Sequence, residues 1–127
     1  MNPRTFDDAS PIYRQIAEQV KADVLSGALA ADAQLMSTNQ YASFYRINPA
    51  TAAKAFQHLV DEGLIYKKRG IGMFVSPDAR SALRSQHRKR FFSDVVDPMI
   101  ERAEAIGIPL DDVVARIEQR QEQERRR

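Results

Sequence analysis

Lys67, Lys68 and Arg69 stand in a row directly before Gly70-x-Gly72, and five more cations, Arg80, Arg84, Arg88, Lys89 and Arg90, follow by residue 90. Residues 67–90 hold 8 Lys/Arg against one acid, Asp78, a local charge of +7, whereas residues 1–66 carry −2 and residues 91–127 carry −3. The whole chain sums to only +2, so the partner implied by the charge is decided by its distribution rather than its total. Cations concentrated beside flexible glycines suit the neutralisation of closely spaced phosphates.

The other titratable groups do not assemble into a reactive site. His58 and His87 are far apart in the chain and fit surface or phosphate contacts. Asp94, Asp97, Glu101 and Glu104 recur at helical spacing, which can bring carboxylates together for acid–base or metal chemistry, but nothing near them completes such a site. Gly70-x-Gly72 lacks the third glycine and the strand-to-helix setting of a dinucleotide loop, so it reads as a turn. The absence of cysteine excludes disulfides and thiolate metal sites. A protein with no catalytic residues, metal or cofactor is expected.

The elements that must present the cations can be read from caps and periodicity. Ser37 with Gln40 three residues on has the form of a capping box, which starts a helix whose apolar face is Tyr41, Ala42 and Phe44 or Tyr45. Asn48-Pro49 combines a favoured N-cap with a proline at the first helical position. The helix they start should run to about Glu62, stopped by Gly63. Ala52, Ala55, Phe56 and Leu59 share its buried face, leaving Ala50, Thr51, Ala53, Lys54, Gln57 and His58 outside. Leu64-Ile65-Tyr66 and Met73-Phe74-Val75 predict a hairpin with the residues from Lys67 to Gly72 at its tip. Upstream, Ser10-Pro11 predicts an N-cap and first helical residue for a core helix carrying Ile12, Ile16, Val20, Val24 and Leu25, with Tyr13 and Ala17 beside them. Gly27 ends that helix, and Leu35 anchors the polar loop after it. Residues 1–9 are expected to fray.

From Pro77 a polar, basic helix should continue into a stripe of Phe91 or Phe92, Val95 or Val96, Met99, Ala103 and Ile106, with Pro98 kinking rather than ending it. Gly107-Ile108-Pro109 breaks the helix, and Asp111 should cap a last one with Leu110, Val113, Val114 and Ile117, before a polar tail from Glu118 to Arg127. Two short helices cannot bury such stripes alone, so a homodimer is expected. No apolar run reaches about 18 residues and the N-terminus has no apolar signal core, which predicts no membrane association and a cytoplasmic protein.

Pro11-Ile12-Tyr13-x-Gln15-Ile16, Gly27-x-Leu29, Leu35-x-Ser37, Ile47-Asn48-Pro49-x-Thr51, Phe56-x-x-Leu59-x-x-x-Gly63-Leu64-Ile65 and Arg69-Gly70-x-Gly72-x-Phe74-Val75 resemble, in order and spacing, the N-terminal domain of GntR-type bacterial transcription regulators. The resemblance covers about residues 11–76. It implies a mainly α fold with a small β-hairpin: a winged helix-turn-helix over 1–76 and a helical linker and two-helix dimerisation annex over 77–127. By that likeness Ser37, Thr38 and Asn39 lie against the DNA backbone, Asn48, Pro49, Ala50, Thr51 and Lys54 lie on the recognition helix, and Arg69, Gly70 and Gly72 in the wing. Physical reasoning supports the same sites, since helix N-termini offer amides to phosphate and hydroxyls and cations fix register. Lys67 and Lys68 join them as phosphate contacts. Three positions depart from the family pattern: Ala31-Asp32 replaces Pro-Gly, Met36 replaces a proline, and Asn39 replaces an arginine that commonly touches DNA.

The short annex is similar to that of the YtrA-like branch, which implies dimerisation through Phe91, Phe92, Val95, Val96, Met99, Ala103, Ile106, Val113, Val114 and Ile117. It also implies repression of transport genes. Any effector would be small, partly apolar and bound in the annex. The expected partner is double-stranded DNA bearing an inverted repeat; the rivals are a protein-interaction module and a non-specific architectural DNA binder.

Overall fold

The computed structural model describes residues 6–127. The expectation that the N-terminus frays lies outside the described residues for positions 1–5, and does not hold for 6–9. Phe6 meets the Tyr45 ring edge-on at 6.2 Å, and Gln15 accepts the Asp7 amide at 3.1 Å while donating to the carbonyls of Asp7 and Ser10.

The chain forms two compact units, one ending at Ser85 and one spanning Gln86–Arg127. In the first, α1 (Ile12–Ser26), α2 (Thr38–Tyr45) and α3 (Pro49–Asp61) enclose the core. Pro11 is the N-cap of α1, one residue later than the Ser-Pro pair implies, and Ile12 is left 39% exposed at the helix start. Ile16, Val20 and Val24 are buried, with Ala17 beside them. The capping box of α2 forms in full, and Tyr41, Ala42 and Tyr45 are its buried face, with Phe44 outside. Asn48 caps α3, Pro49 opens it, and Ala52, Ala55, Phe56 and Leu59 are buried as their spacing predicts. Truncating Phe56 or Leu59 to alanine would cost about 2–5 kcal/mol. Gly63, at φ +75°, ends the helix with the paired bonds Gly63 N to Val60 O and Leu64 N to Leu59 O.

Strands β1 (Ile65–Lys68) and β2 (Gly72–Val75) pair antiparallel with Ile65 opposite Val75 and Lys68 opposite Gly72. Lys67 and Lys68 therefore belong to the strand rather than to the tip, which is Arg69-Gly70-Ile71. The preceding loop runs along β2: Leu35 N donates to Met73 O, Val75 N to Ala33 O and Asp32 N to Val75 O, all within 2.9 Å. This added edge fixes the wing to the core through buried Leu35.

Helix α4 (Ala79–Phe91) contributes Ala79 and Leu83 to the same core, each 1% exposed. In the second unit a π-helical turn (Phe92–Val96) leads into α5 (Asp97–Ala105), and α6 is Leu110–Arg125. Pro98 does not end the helix. It lacks an N–H, and the turn before it widens so that Asp97 N reaches Phe92 O. Gly107, at φ +78°, closes α5 with Gly107 N on Glu104 O and Ile108 N on Ala103 O. Pro109, not Asp111, occupies the N-cap of α6, with Asp111 and Asp112 in its first turn. The segment from Glu118 is helical as far as Arg125, supported by Glu122 and Glu124 paired with Arg125, Arg126 and Arg127.

Candidate nucleic-acid interface

Ser37, Thr38 and Asn39 open α2. Ser37 Oγ accepts the Gln40 amide at 3.1 Å and Gln40 Oε1 accepts the Ser37 amide at 3.0 Å, so the hydroxyl keeps its proton for an outside acceptor. The amides of Thr38 and Asn39 belong to the first turn, which has no intrahelical acceptor for them. At the start of α3, Asn48 Oδ1 accepts the Ala50 amide at 2.8 Å, leaving the side-chain NH2 as its free donor. Pro49, Ala50, Ala53 and Lys54 are exposed and Thr51 is half-buried. Gln57 donates to Asp61 Oδ1 at 2.9 Å.

Lys54 does not extend freely from the helix. Its Nζ lies 4.1 Å from the centroid of the Tyr13 ring on α1, and the His58 ring stacks on the same tyrosine at 5.1 Å. Arg14 Nε donates to Tyr13 Oη at 3.3 Å, and that hydrogen bond pulls the phenol below its usual value, with the charges of Arg14 and Lys54 adding to it against desolvation.

In the wing, Lys67 and Lys68 are consecutive strand residues and point to opposite faces. Lys68 Nζ lies 4.9 Å from the Phe74 ring centroid, and Phe74 stacks on Tyr66 at 5.6 Å. Arg69 is exposed at the tip. Gly70 has φ +76° in the turn closed by Ile71 N to Lys68 O. Gly72 has a local reason as well: at φ +148° a Cβ would stand 2.7 Å from Gln34 Nε2, which donates to Ile71 O. Asp32, in place of the family's glycine, adopts φ +61°, and its carboxylate accepts the Tyr66 hydroxyl at 2.7 Å. That bond, with desolvation and the Asp32 charge, raises the Tyr66 phenol above its usual value.

The family model for bacterial regulatory proteins of the gntR family matches residues 12–75. The chain belongs to the GntR family. It is 43% identical over 75 residues to the HTH-type transcriptional repressor NagR of Bacillus subtilis, covering 58% of this chain and 31% of NagR, so it spans about a third of that relative's length. To the HTH-type transcriptional repressor YtrA of the same organism it is 30% identical over 111 residues, 87% of this chain and 82% of YtrA. A GntR family transcriptional regulator from Listeria monocytogenes superposes with a TM-score of 0.67 at 26% identity, covering 90% of this chain and 98% of that one. The AraR DNA-binding domain in complex with operator ORE1 gives a TM-score of 0.52 at 26% identity, over 60% and 93% of the two chains. This GntR protein is thus a DNA-binding transcription regulator whose family members are regulators, not enzymes. No helix among the described residues is long and apolar enough to cross a membrane.

In the second unit of this GntR chain, Phe91, Phe92, Val95, Met99, Ile106, Val114 and Ile117 are exposed, between 40% and 67%. Val96 and Val113 are half-buried, and Ala103 is buried. Val95, Met99, Ala103, Ile106 and Val113 line a cleft of about 500 Å³ whose polar groups are Asp94 and Arg102. The sequence pattern sets Tyr13 beside the apolar stripe of α1 and marks no role for Arg14 or Gln34. Tyr13 meets Lys54 and His58, and Gln34 meets Ile71, across elements far apart in the chain, which leaves no local signature; Arg14 bonds the adjacent Tyr13.

Proposed function

We propose that the protein is a homodimeric, sequence-specific repressor, cytoplasmic, that occludes promoter DNA carrying an inverted repeat and controls transport-related genes as the branch it resembles does. The observation that carries the reading is the outer face of α3: Pro49, Ala50, Ala53 and Lys54 are exposed on a helix whose other face is fully buried. Small residues at its N-terminal end let the backbone enter a major groove, where Asn48, Thr51 and Lys54 reach base edges and phosphates. Ser37, Thr38 and Asn39 supply a hydroxyl, amides and a carboxamide to the backbone. The wing carries Lys67 on one face and Lys68 on the other beside Arg69, Gly70 and Gly72, which suits an element lying between two phosphate backbones. The exposed stripes of α5 and α6 form the face for the second copy, and YtrA, matched over 82% of its length, carries the word repressor in its name.

Selection of duplexes from a random pool by the purified chain tests this reading. An enriched inverted repeat supports it, and retention of DNA without enrichment assigns an architectural role. No retention leaves a protein-interaction module.

The cleft in the second unit supports a small, partly apolar effector. Its lining is mainly aliphatic, with one acid and one cation. Such a ligand shifts the dimer between arrangements only by its differential affinity for them.

A further inference from the structure

We propose that Tyr13 and Arg14 of α1, with Lys54 of α3, form a second phosphate-binding site beside the recognition helix, in which the tyrosine ring sets the position of the lysine. The inference rests on the reading of α3 as the helix that enters the groove.

Three observations carry it. Lys54 Nζ is 4.1 Å from the Tyr13 ring centroid, within the range in which an ammonium is attracted to an aromatic face. The ring is itself held, half-buried, stacked on His58 and hydrogen-bonded through its hydroxyl to Arg14. A lysine on such a support has fewer arrangements to lose when it meets a phosphate than one free in solvent. Arg14 spends one donor, Nε, on the tyrosine, and the N–H groups of its two terminal nitrogens remain for a bidentate contact of the kind phosphate accepts.

The surrounding charges favour an anion. Neither Lys54 nor Arg14 enters any salt bridge formed among the described residues, whereas Glu18, one turn beyond Arg14, and Glu62, at the end of α3, share Lys21 at 3.6 and 3.0 Å. Because the first turn of α1 lies against the middle of α3, its outer groups stand where the wall of a groove about 8.5 Å deep would run when α3 is inserted. The ligand is therefore a backbone phosphate, and the site contributes affinity and register rather than base discrimination.

The test measures Kd of the full-length chain against salt on a duplex selected by the protein and on a random duplex of equal length. Arg14→Ala should lower the salt slope by about 0.9 on both. Tyr13→Leu should weaken binding and shrink the further loss caused by Lys54→Ala, while Tyr13→Phe, which keeps the ring, should preserve that loss. Arg14 is exposed, so Arg14→Ala decides the matter even if Tyr13→Leu melts. An unchanged slope in Arg14→Ala, with Lys54→Ala still impaired, overturns the second site and leaves the α3 interface standing. If Lys54→Ala and neutralisation of Lys67 and Lys68 all leave DNA binding unchanged, the interface reading falls too.

Discussion

Tyr66 in the wing donates its hydroxyl to Asp32 Oδ1 across 2.7 Å, tying β1 to the loop that pairs along β2. The bond requires a protonated phenol, and it raises the Tyr66 pKa above the ordinary value of 10.0. A group whose folded pKa is raised contributes stability that is fully present below its unfolded pKa and is lost as pH rises through the folded one. Thermal unfolding should therefore show an extra loss of stability above about pH 10, absent in Tyr66→Phe. Tyr13, pulled the other way by Arg14, contributes with the opposite sign but equally in both proteins, so it cancels. Parallel pH profiles for the two proteins would show that the bond contributes nothing.

Ser37 serves both the fold and the interface, and two substitutions separate these roles. Ser37→Ala removes the acceptor for the Gln40 amide and should cost about 1 kcal/mol in urea or thermal unfolding. Ser37→Asp keeps a capping oxygen and favours the helix dipole, so stability should hold. The added charge would face phosphate, and DNA affinity should fall at least as far as in Ser37→Ala. Undiminished DNA binding by Ser37→Asp would move the backbone contact away from α2.

Leu83 is 1% exposed although it lies in a helix made mostly of polar and basic residues. Leu83→Ala should destabilise the first unit by about 2–5 kcal/mol. A chain ending at residue 76 loses Leu83 and Ala79 together and should unfold well before one ending at residue 90. Equal melting temperatures for the two truncations would remove α4 from the core.

Val95 is 50% exposed, and within one copy an aspartate there costs little. If a second copy covers this face, Val95→Asp buries a charge at the seam and should convert a dimer to monomers in sedimentation, with loss of operator affinity. The same holds for Val114→Asp on α6, also 50% exposed. Dimers that persist in both variants would place the interface elsewhere.

What the sequence disclosed of the fold was local. The Ser37–Gln40 box, the Asn48-Pro49 start and the spacing of Ala52, Ala55, Phe56 and Leu59 each depend on residues within one turn or one helix, and each recurs in the structure. The segment from Asp32 to Leu35 carries no strand pattern because its partner, β2, supplies the pairing from about forty residues away. Helical spacing turns Lys54 outward, but its approach to Tyr13 depends on how α1 crosses α3. The tail from Glu118 reads as merely polar, yet it is helical to Arg125, and Glu122 with Arg125 and Arg126 has the three- and four-residue charge spacing that supports a helix. Pro98 lies inside a helix, as the apolar stripe on both sides of it implies, while the π turn that accommodates it has no local code.

The two recognition helices of a symmetric dimer present the same residues in opposite senses, so the operator must repeat them as an inverted pair on one face of the duplex, about 34 Å or a multiple apart. Inserting five base pairs between the half-sites rotates one by about half a turn and moves it by about 17 Å, so both heads can no longer engage without twisting the DNA. Binding should then fall to that of a single half-site, and inserting ten should recover part of it. Lys54→Ala should weaken both half-sites alike, with a bidentate or well-placed contact contributing about 1–3 kcal/mol of discrimination. Footprints on the five-base-pair insertion should shrink from two protected patches to one. Two undiminished patches would mean that the heads bind independently, and the dimer would then have no part in setting operator geometry.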